Sequence, residues 1–259
     1  MTIMNLQGPV EIPQEIIDTI VGQLSGHDDA LRSCSLVSRS FLDPSHRNLF
    51  AIILLDGIEK TKRLHELLMF NSQLSSYIRD LTFVVAIPVD MTAQRLLSDW
   101  LQAHDNALTS ILRNVPHLRH LALGDFRSYY LDWNMLSSDL QSVLSELFQS
   151  PFLATIKIFR FTNLLNLKGP NNHRIFPHVK NLMLNKVTWG GPVTELVMPN
   201  LEVLDVETVV FPPTQVPNLQ HLFIRSDGYR TAMFVVGVIR SSSRSLQRIL
   251  WDYCGPLGN

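Results

Sequence analysis

The sequence predicts an α/β (α+β) protein, with a short helical module at its start and a longer region in which strands alternate with helices. Residues 12–50 carry three short helical patterns punctuated by capping residues, glycine and proline. Beyond residue 50 the pattern apolar-x-x-apolar-x-apolar occurs seven times, and helical periodicities separate its early occurrences. These two regions predict two domains, 1–50 and 51–259.

The composition indicates a globular protein and argues against several classes of function. Of the 259 residues, 46% are hydrophobic and 17% are charged, which is enough to bury a sizeable core. The 22 Lys and Arg residues are balanced by 23 Asp and Glu residues, so no basic surface for nucleic acid is expected. No apolar run approaches the roughly 20 residues of a membrane-spanning helix. Two cysteines and an N-terminus unlike a secretory signal predict a reducing compartment, cytoplasmic or nuclear.

The first helix of the module is predicted to begin at Pro13. Proline suits the first turn of a helix because no backbone donor is needed there, and the acidic residues that follow favour the positive end of the helix dipole. Gly26 supplies a stop. The apolar residues of this helix recur on one face and are Ile16, Ile17, Ile20, Val21 and Leu24.

Two more short helices are predicted before residue 45. Asp28 is a suitable N-cap for the second helix, and Ser38 is suitable for a third, very short one that Pro44 ends. Cys34 lies on the apolar face of the second helix, where a lone cysteine acts as a small core residue. Helices this short leave apolar surface uncovered unless a partner or a neighbouring domain packs on it.

The order of residues across the module matches a known pattern. In sequence they are Ile12, Pro13, Glu15, Ile16 and Ile17, then Leu36, Val37, Ser38, Arg39 and Phe41. They resemble the F-box family, whose consensus opens with Leu-Pro-x-Glu-Ile/Leu-Ile/Leu and continues to Leu-Val-Ser-Arg/Lys-x-Trp/Phe. Ile12 replaces the usual leucine, and Phe41 stands where many members carry tryptophan, but both swaps keep an apolar side chain. The resemblance covers 39 of the 259 residues.

The resemblance implies that the module binds the Skp adaptor of an SCF-type cullin-RING ubiquitin ligase, and through it a cullin scaffold. Its apolar residues would include both contacts to the adaptor and the core of the module. The residues assigned to adaptor binding are Ile12, Pro13, Ile16, Ile17, Ile20, Leu24, Leu31, Leu36, Val37 and Phe41. In the alternative interpretation these helices are an ordinary cap packed onto the rest of the chain, which would cover the apolar side chains.

Seven triplets of apolar anchors predict seven strands after a first strand candidate at Ile52 to Leu55. Their first members are 18 to 40 residues apart, so the period is irregular. In five triplets a proline stands two residues before the first anchor, where a loop would turn into a strand. The triplets are Ile78-Leu81-Phe83, Leu118-Leu121-Leu123, Leu153-Ile156-Ile158, Val179-Leu182-Leu184, Leu201-Leu204-Val206, Leu219-Leu222-Ile224 and Leu246-Ile249-Trp251.

Between the early strands lie three helical patterns, whereas loops are predicted after Phe176. The helical residues are Leu64, Leu67 and Leu68, then Leu96, Leu97, Trp100, Leu101, Leu108, Ile111 and Leu112, then Leu140, Val143, Leu144 and Leu147. This alternation resembles an irregular leucine-rich-repeat-like solenoid. The asparagine that many such repeats place after the third anchor is absent at its regular position. The alternative is a doubly wound α/β sheet, although no Gly-rich phosphate turn follows any strand.

The solenoid is predicted to be either naturally short or truncated, because only eight residues follow Trp251. Since side chains alternate along a strand, residues between the anchors would share one face. The face mixes charge with apolar side chains, which is typical of a protein-docking surface. The predicted target-binding residues on it are Lys157, Met183, Asp205, Glu207, His221, Phe223, Arg225, Arg248 and Asp252.

No catalytic or metal-binding pattern is found, and no cofactor is expected. Ser25 lacks the residue that a nucleophile elbow places before its second glycine. His117 and His120 bracket the start of a strand and do not share a helix face. We therefore expect a non-catalytic substrate-receptor subunit that binds an adaptor and a target protein. The main alternative is a repeat scaffold for protein binding with no ligase association; an enzyme ranks third.

Overall fold

The computed structural model of the chain describes residues 12–84, 105–124, 130–164, 175–190, 196–210, 212, 214–226 and 229–253. The chain divides into two compact units, Met1–Ile52 and Ile53–Asn259. The division follows residue 52, whereas the sequence predicts one after residue 50. The described chain contains both helices and strands, so the mixed α/β class expected from the sequence is confirmed.

The first unit consists of three helices, α1 (Gln14–Gly22), α2 (Asp28–Ser35) and α3 (Arg39–Leu49). Pro13 immediately precedes α1. Gly26 turns the chain after it with a φ of +86°, which glycine adopts without strain. The helices enclose a small core. Its buried members are Ile17, Val21 and Leu31, with Leu24, Phe41 and Leu49 packed against them.

The third helix is longer than the sequence predicts. Pro44 lies inside α3 and is buried, so the prediction that it ends this helix is wrong. A proline here cannot donate to the carbonyl of Ser40, four residues earlier. That carbonyl accepts a hydrogen bond from Gln14 Nε2 on α1 instead, at 3.1 Å. A side chain from another helix thus replaces the missing backbone donor.

The second unit is built on a nine-stranded sheet. Its strands are β1 (Ile52–Leu55), β2 (Asp80–Val84), β3 (His120–Gly124), β4 (Leu131–Asp132), β5 (Thr155–Leu164), β6 (Asn181–Trp189), β8 (Val203–Glu207), β10 (His221–Ser226) and β11 (Arg248–Tyr253). Two further strands, β7 (Leu196–Val197) and β9 (Thr214–Gln215), form a small parallel sheet of their own. From β2 to β11 the pairs in the large sheet are parallel. The predicted strand at Ile52 to Leu55 is confirmed as β1.

Strand order in the large sheet follows the order along the chain, from β1 through β2, β3, β5, β6, β8 and β10 to β11, while β4 pairs only with β5. A doubly wound sheet reverses its order at one point. No reversal occurs among the described strands, so the doubly wound alternative is wrong for this part of the chain. The predicted anchors are confirmed in six of the seven triplets, because every anchor from Ile78 to Ile224 is buried.

Helices connect the early strands. They are α4 (Ile58–Phe70), α5 (residues 105–113) and α6 (Ser138–Phe148). In α6 all four predicted core residues are buried, and in α4 Leu64 and Leu68 are buried while Leu67 is exposed. Four residues of the second helical pattern lie outside the described residues, namely Leu96, Leu97, Trp100 and Leu101.

The last connection is also helical, which corrects the prediction of loops alone after Phe176. Helix α7 (Tyr229–Ser242) joins β10 to β11. It buries Phe234, Val235 and Val238, whose spacing places them on one helix face. The apolar residues between β10 and β11 therefore form the buried face of a helix and do not belong to a loop.

Each long strand from β3 to β11 begins with the same backbone arrangement. Two consecutive N–H groups donate to a single carbonyl just before the preceding strand, at 2.8 to 3.0 Å. At the start of β8, for example, Glu202 and Val203 both donate to the carbonyl of Lys180. The arrangement occurs at six successive junctions, which aligns the strands and stacks their anchors in register.

Three strands bend at one equivalent position. Arg160, Lys186 and Thr208 each follow the fifth residue of the shared register and have φ values of +49° to +53°. This is the left-handed region that glycine and asparagine favour. Because none of the three is glycine or asparagine, the bend is not predictable from the sequence.

Candidate functional site

The first candidate surface is the apolar side of the helical unit. Helix α1 carries isoleucines on two sides: Ile17 faces the core, whereas Ile16 and Ile20 are each about half exposed. We call the exposed members of this unit the exposed apolar set. They are Ile12, Ile16, Ile20, Leu36, Val37 and Leu42.

The most exposed members lie in the turn between α2 and α3. Leu36 is 86% exposed and Val37 is 68% exposed. Their backbones are fixed, because the N–H of Leu36 donates to Ser33 at 3.1 Å and the N–H of Val37 donates to Cys34 at 3.0 Å. An ordered turn therefore holds two apolar side chains in solvent.

The structure divides the predicted adaptor-binding residues into two groups. Ile17 and Leu31 are buried in the core of the unit, so their predicted contact with an adaptor is replaced by a structural role. Leu24 and Phe41 pack partly against that core. The remaining residues are exposed and are Ile12, Pro13, Ile16, Ile20, Leu36 and Val37. Their role in binding stays a prediction.

Polar contacts tie α1 to α3. Arg47 on α3 forms an ion pair with Asp43 on its own helix and lies 3.7 Å from a carboxylate oxygen of Asp18 on α1. Gln14 donates to Asp18 at 2.7 Å as well as to the Ser40 carbonyl. These contacts are at the surface and each stabilises the unit only modestly. They help to hold α1 and α3 together at the edge of the small core.

The second candidate surface is the face of the sheet opposite the anchors. All nine predicted target-binding residues lie on it in three register rows, and none is buried. We call this surface the polar sheet face. One row runs through Lys157, Met183, Asp205 and Phe223, the next through Glu207, Arg225 and Asp252, and the third through His221 and Arg248.

Two arginines on the polar sheet face have defined partners. Arg225 Nη2 donates to both carboxylate oxygens of Asp205, at 3.1 and 2.9 Å. This hydrogen bond raises the pKa of the Arg225 guanidinium, and the negative charges of Asp205, Glu207 and Asp252 act in the same direction. The guanidinium of Arg248 lies 5.9 Å from the ring centre of Phe223. These contacts preorganise the two arginines.

The earlier strands contribute little to this face. Ala122 on β3 and Phe159 on β5 lie in its register rows, but both are buried. The polar sheet face is therefore concentrated on the strands from β6 to β11, with Lys157 at its near end.

A polar ladder lies at the strand starts, and sequence reasoning missed it. Asn200 Nδ2 donates to the carbonyl of Pro177 at 2.6 Å, and Asn218 Nδ2 donates to that of Pro199 at 2.7 Å. Ser245, at the equivalent position before β11, donates to the Leu219 carbonyl at 2.9 Å. The sequence signal for this ladder is a repeated Pro-Asn-Leu segment, Pro199-Asn200-Leu201 and Pro217-Asn218-Leu219.

A groove of about 760 Å³ runs along these strand starts. Its walls carry the asparagine ladder and an ion pair of 2.9 Å between Lys180 and Glu202. In the described ranges, no three or more His, Cys, Asp or Glu side chains are grouped so that they could hold a metal ion.

A scan against protein-family models finds no match for this chain, and neither does a search of curated proteins. The family resemblance thus rests on the residues themselves. Within the described residues, the helices fall short of the length and apolar character that crossing a membrane requires.

Proposed function

We propose that this protein is the substrate-receptor subunit of an SCF-type ubiquitin ligase. The helical unit would bind a Skp-type adaptor, and the second unit would bind the target. The observation that carries the proposal is the exposure of Leu36 and Val37, which stand in the part of the sequence that most resembles the F-box consensus.

The exposed apolar set supports a docking role on energetic grounds. Fully burying an isoleucine, leucine or valine side chain contributes about 1.5 to 3 kcal/mol, so covering the exposed half of one contributes about 1 kcal/mol. Six such side chains on a unit of three short helices would add several kcal/mol to a complex. Scattered apolar residues on a surface are ordinary, but two adjacent ones in an ordered turn favour a binding site.

A repeat solenoid is the proposed form of the second unit. Sequential strand order, the recurring two-donor arrangement at the strand starts and the asparagine ladder support it. Such an array would present the polar sheet face to a target protein. Its physical contribution is proximity, because a tethered target reaches a high effective concentration near the rest of the ligase.

A binding assay with recombinant Skp-type adaptor tests the proposal. Two double variants remove apolar character at exposed positions, Ile16→Asp with Ile20→Asp, and Leu36→Asp with Val37→Asp. Each is expected to lower adaptor affinity at least about tenfold, because charge would be buried at the interface. Phe70→Asp is the matched control, since Phe70 is 92% exposed but lies on α4 in the second unit.

Two results would remove the proposal. Wild-type protein that fails to bind the adaptor would leave a protein-binding scaffold without ligase association. Equal binding by the wild type and both double variants would show that the exposed apolar set is not the contact surface. Far-ultraviolet circular dichroism should show unchanged helix content in all variants.

A further inference from the structure

The last strand, β11, has apolar side chains that the described chain does not cover. Ile249, Leu250 and Trp251 are each between 46% and 49% exposed. Ile249 and Trp251 occupy anchor positions, and the corresponding residues of the six earlier triplets are buried. Leu250 lies on the opposite face. β11 therefore presents apolar surface on both sides of the sheet.

The backbone of β11 has an open edge. Among the described strands it pairs only with β10 and ends the sheet. The N–H of Arg248 donates to the carbonyl of Gln220 on the β10 side, at 3.0 Å. Hydrogen-bonding groups alternate along a strand, so the N–H and C=O groups of Ile249 and Trp251 point away from β10. None of the described strands pairs with this row, and an unpaired row of this kind is a template for another strand.

The charge pattern of β11 is complementary to that of a second β11 strand only when the two strands run antiparallel. It reads Arg248-Ile249-Leu250-Trp251-Asp252, with opposite charges at the two ends of an apolar centre. In a parallel pair of two such strands in register, Arg248 would lie opposite Arg248. In an antiparallel pair centred on Leu250, Arg248 lies opposite Asp252 and Ile249 lies opposite Trp251. Only the antiparallel pair combines opposite charges and apolar residues.

We propose that the occupant of this edge is a second copy of the chain, paired antiparallel through β11 about a two-fold axis at Leu250. Ile249 and Trp251 of the two copies form the hydrogen-bonded pairs, and each pair exchanges two backbone bonds. Arg248 and Asp252 fall in non-hydrogen-bonded pairs, where the side chains approach most closely. The axis is perpendicular to the sheet, so the polar sheet faces of both copies lie on the same side. The dimer does not depend on adaptor binding.

The expected dimer is weak. One six-residue strand buries less than the roughly 1,200 Å² of a standard interface. Interfaces of this size are mostly weak and transient, so we expect a dissociation constant of about micromolar or higher. Arg248 also keeps its position over Phe223, and Asp252 remains near Arg225, so neither charge is left unpaired in the monomer. Self-association should therefore depend on protein concentration.

Sedimentation velocity over a range of concentrations tests the proposal with charge-swapped variants. Arg248→Asp places two acidic residues opposite each other at both ends of the pair, and Asp252→Arg places two arginines there. Each variant alone is expected to self-associate at least about tenfold more weakly than the wild type. An equimolar mixture of the two restores both opposite-charge pairs and is expected to recover dimers.

Lys157→Asp is the matched control, because Lys157 lies on the same face but on β5 and should leave dimerisation unchanged. If a charge-swapped variant fails to fold, Leu250→Lys provides the second test, since two lysines would meet at the axis. The proposal is overturned if the wild type stays monomeric at all concentrations. It is also overturned if the variants associate like the wild type, or if the mixture does not recover dimers; the edge would then belong to a strand of different sequence.

Discussion

Gly124 ends β3 in a conformation that requires glycine. Its φ is +121°, and a Cβ built there would lie 2.0 Å from the backbone oxygen of Phe159 on β5. No side chain can relieve this contact, because the clashing atom belongs to the neighbouring strand. Gly124→Ala is therefore expected to lower the free energy of unfolding by at least about 3 kcal/mol. Urea unfolding followed by circular dichroism measures the change.

Gly237→Ala is the control for Gly124→Ala. Gly237 lies within α7, and a Cβ there would meet no atom within 4 Å. Alanine in a helix is favoured over glycine by about 0.5 to 1 kcal/mol, so this variant should be more stable than the wild type. Losses of similar size at both positions would contradict the assignment of steric strain to Gly124.

At the scale of elements, α3 depends on a contact from α1. Gln14→Ala removes the donor to the Ser40 carbonyl and should cost about 1 kcal/mol. Pro44→Ala supplies a backbone N–H to the same carbonyl, so the loss from Gln14→Ala should be smaller in that background. A double-mutant cycle by urea unfolding should give a coupling of about 0.5 kcal/mol or more. Strictly additive changes would mean that Gln14 acts only through its bond to Asp18.

The asparagine ladder couples neighbouring strand starts. Asn200→Ala and Asn218→Ala each remove one hydrogen bond to a proline carbonyl, and each is expected to lower the free energy of unfolding by about 1 kcal/mol. Asn200→Asp should cost more, because a carboxylate would face the carbonyl oxygen of Pro177. Gln220→Ala, in the same groove but without a hydrogen bond from its side chain among the described residues, serves as control. A loss for Gln220→Ala equal to the others would assign the effect to general packing.

Strands and their alignment can be predicted from the sequence where the spacing of apolar residues alone determines them. The anchor spacing of Leu204 and Leu222 already aligns β8 with β10, and it therefore places Asp205 and Arg225 on one face. The continuation of α3 through Pro44 is not predictable from local sequence, because it depends on a donor from Gln14 on another helix. The bends at Lys186 and Thr208 are likewise not predictable, because neither residue is of a type that favours positive φ.

For the whole molecule, the sequence indicates two regions because the helical and strand periodicities differ. It does not predict which apolar residues stay exposed, since burial depends on neighbours in space. Ile17 and Ile16 are adjacent in sequence and equally apolar, yet only Ile17 reaches Leu31 in the core. Likewise, the seventh triplet has the same pattern as the other six, but Ile249 and Trp251 are exposed on β11, which has one neighbour among the described strands.

The unequal cores of the two units lead to a prediction about stability. The helical unit has three fully buried apolar residues in its core, whereas the second unit buries the anchors of six triplets. Local opening therefore costs less in the helical unit, so its amide hydrogens should exchange faster than those of β5 and β6.

Adaptor binding should protect the helical unit alone. A Skp-type adaptor at 100 times its dissociation constant would raise the free energy of opening of α1 to α3 by about 2.7 kcal/mol, which slows their amide exchange and leaves that of the sheet unchanged. At the same adaptor concentration, a tenfold weaker affinity of the Leu36→Asp, Val37→Asp variant would reduce this protection to about 1.4 kcal/mol or less. Hydrogen exchange with mass spectrometry measures each segment, and protection of the sheet in place of the helices would contradict the proposed docking surface.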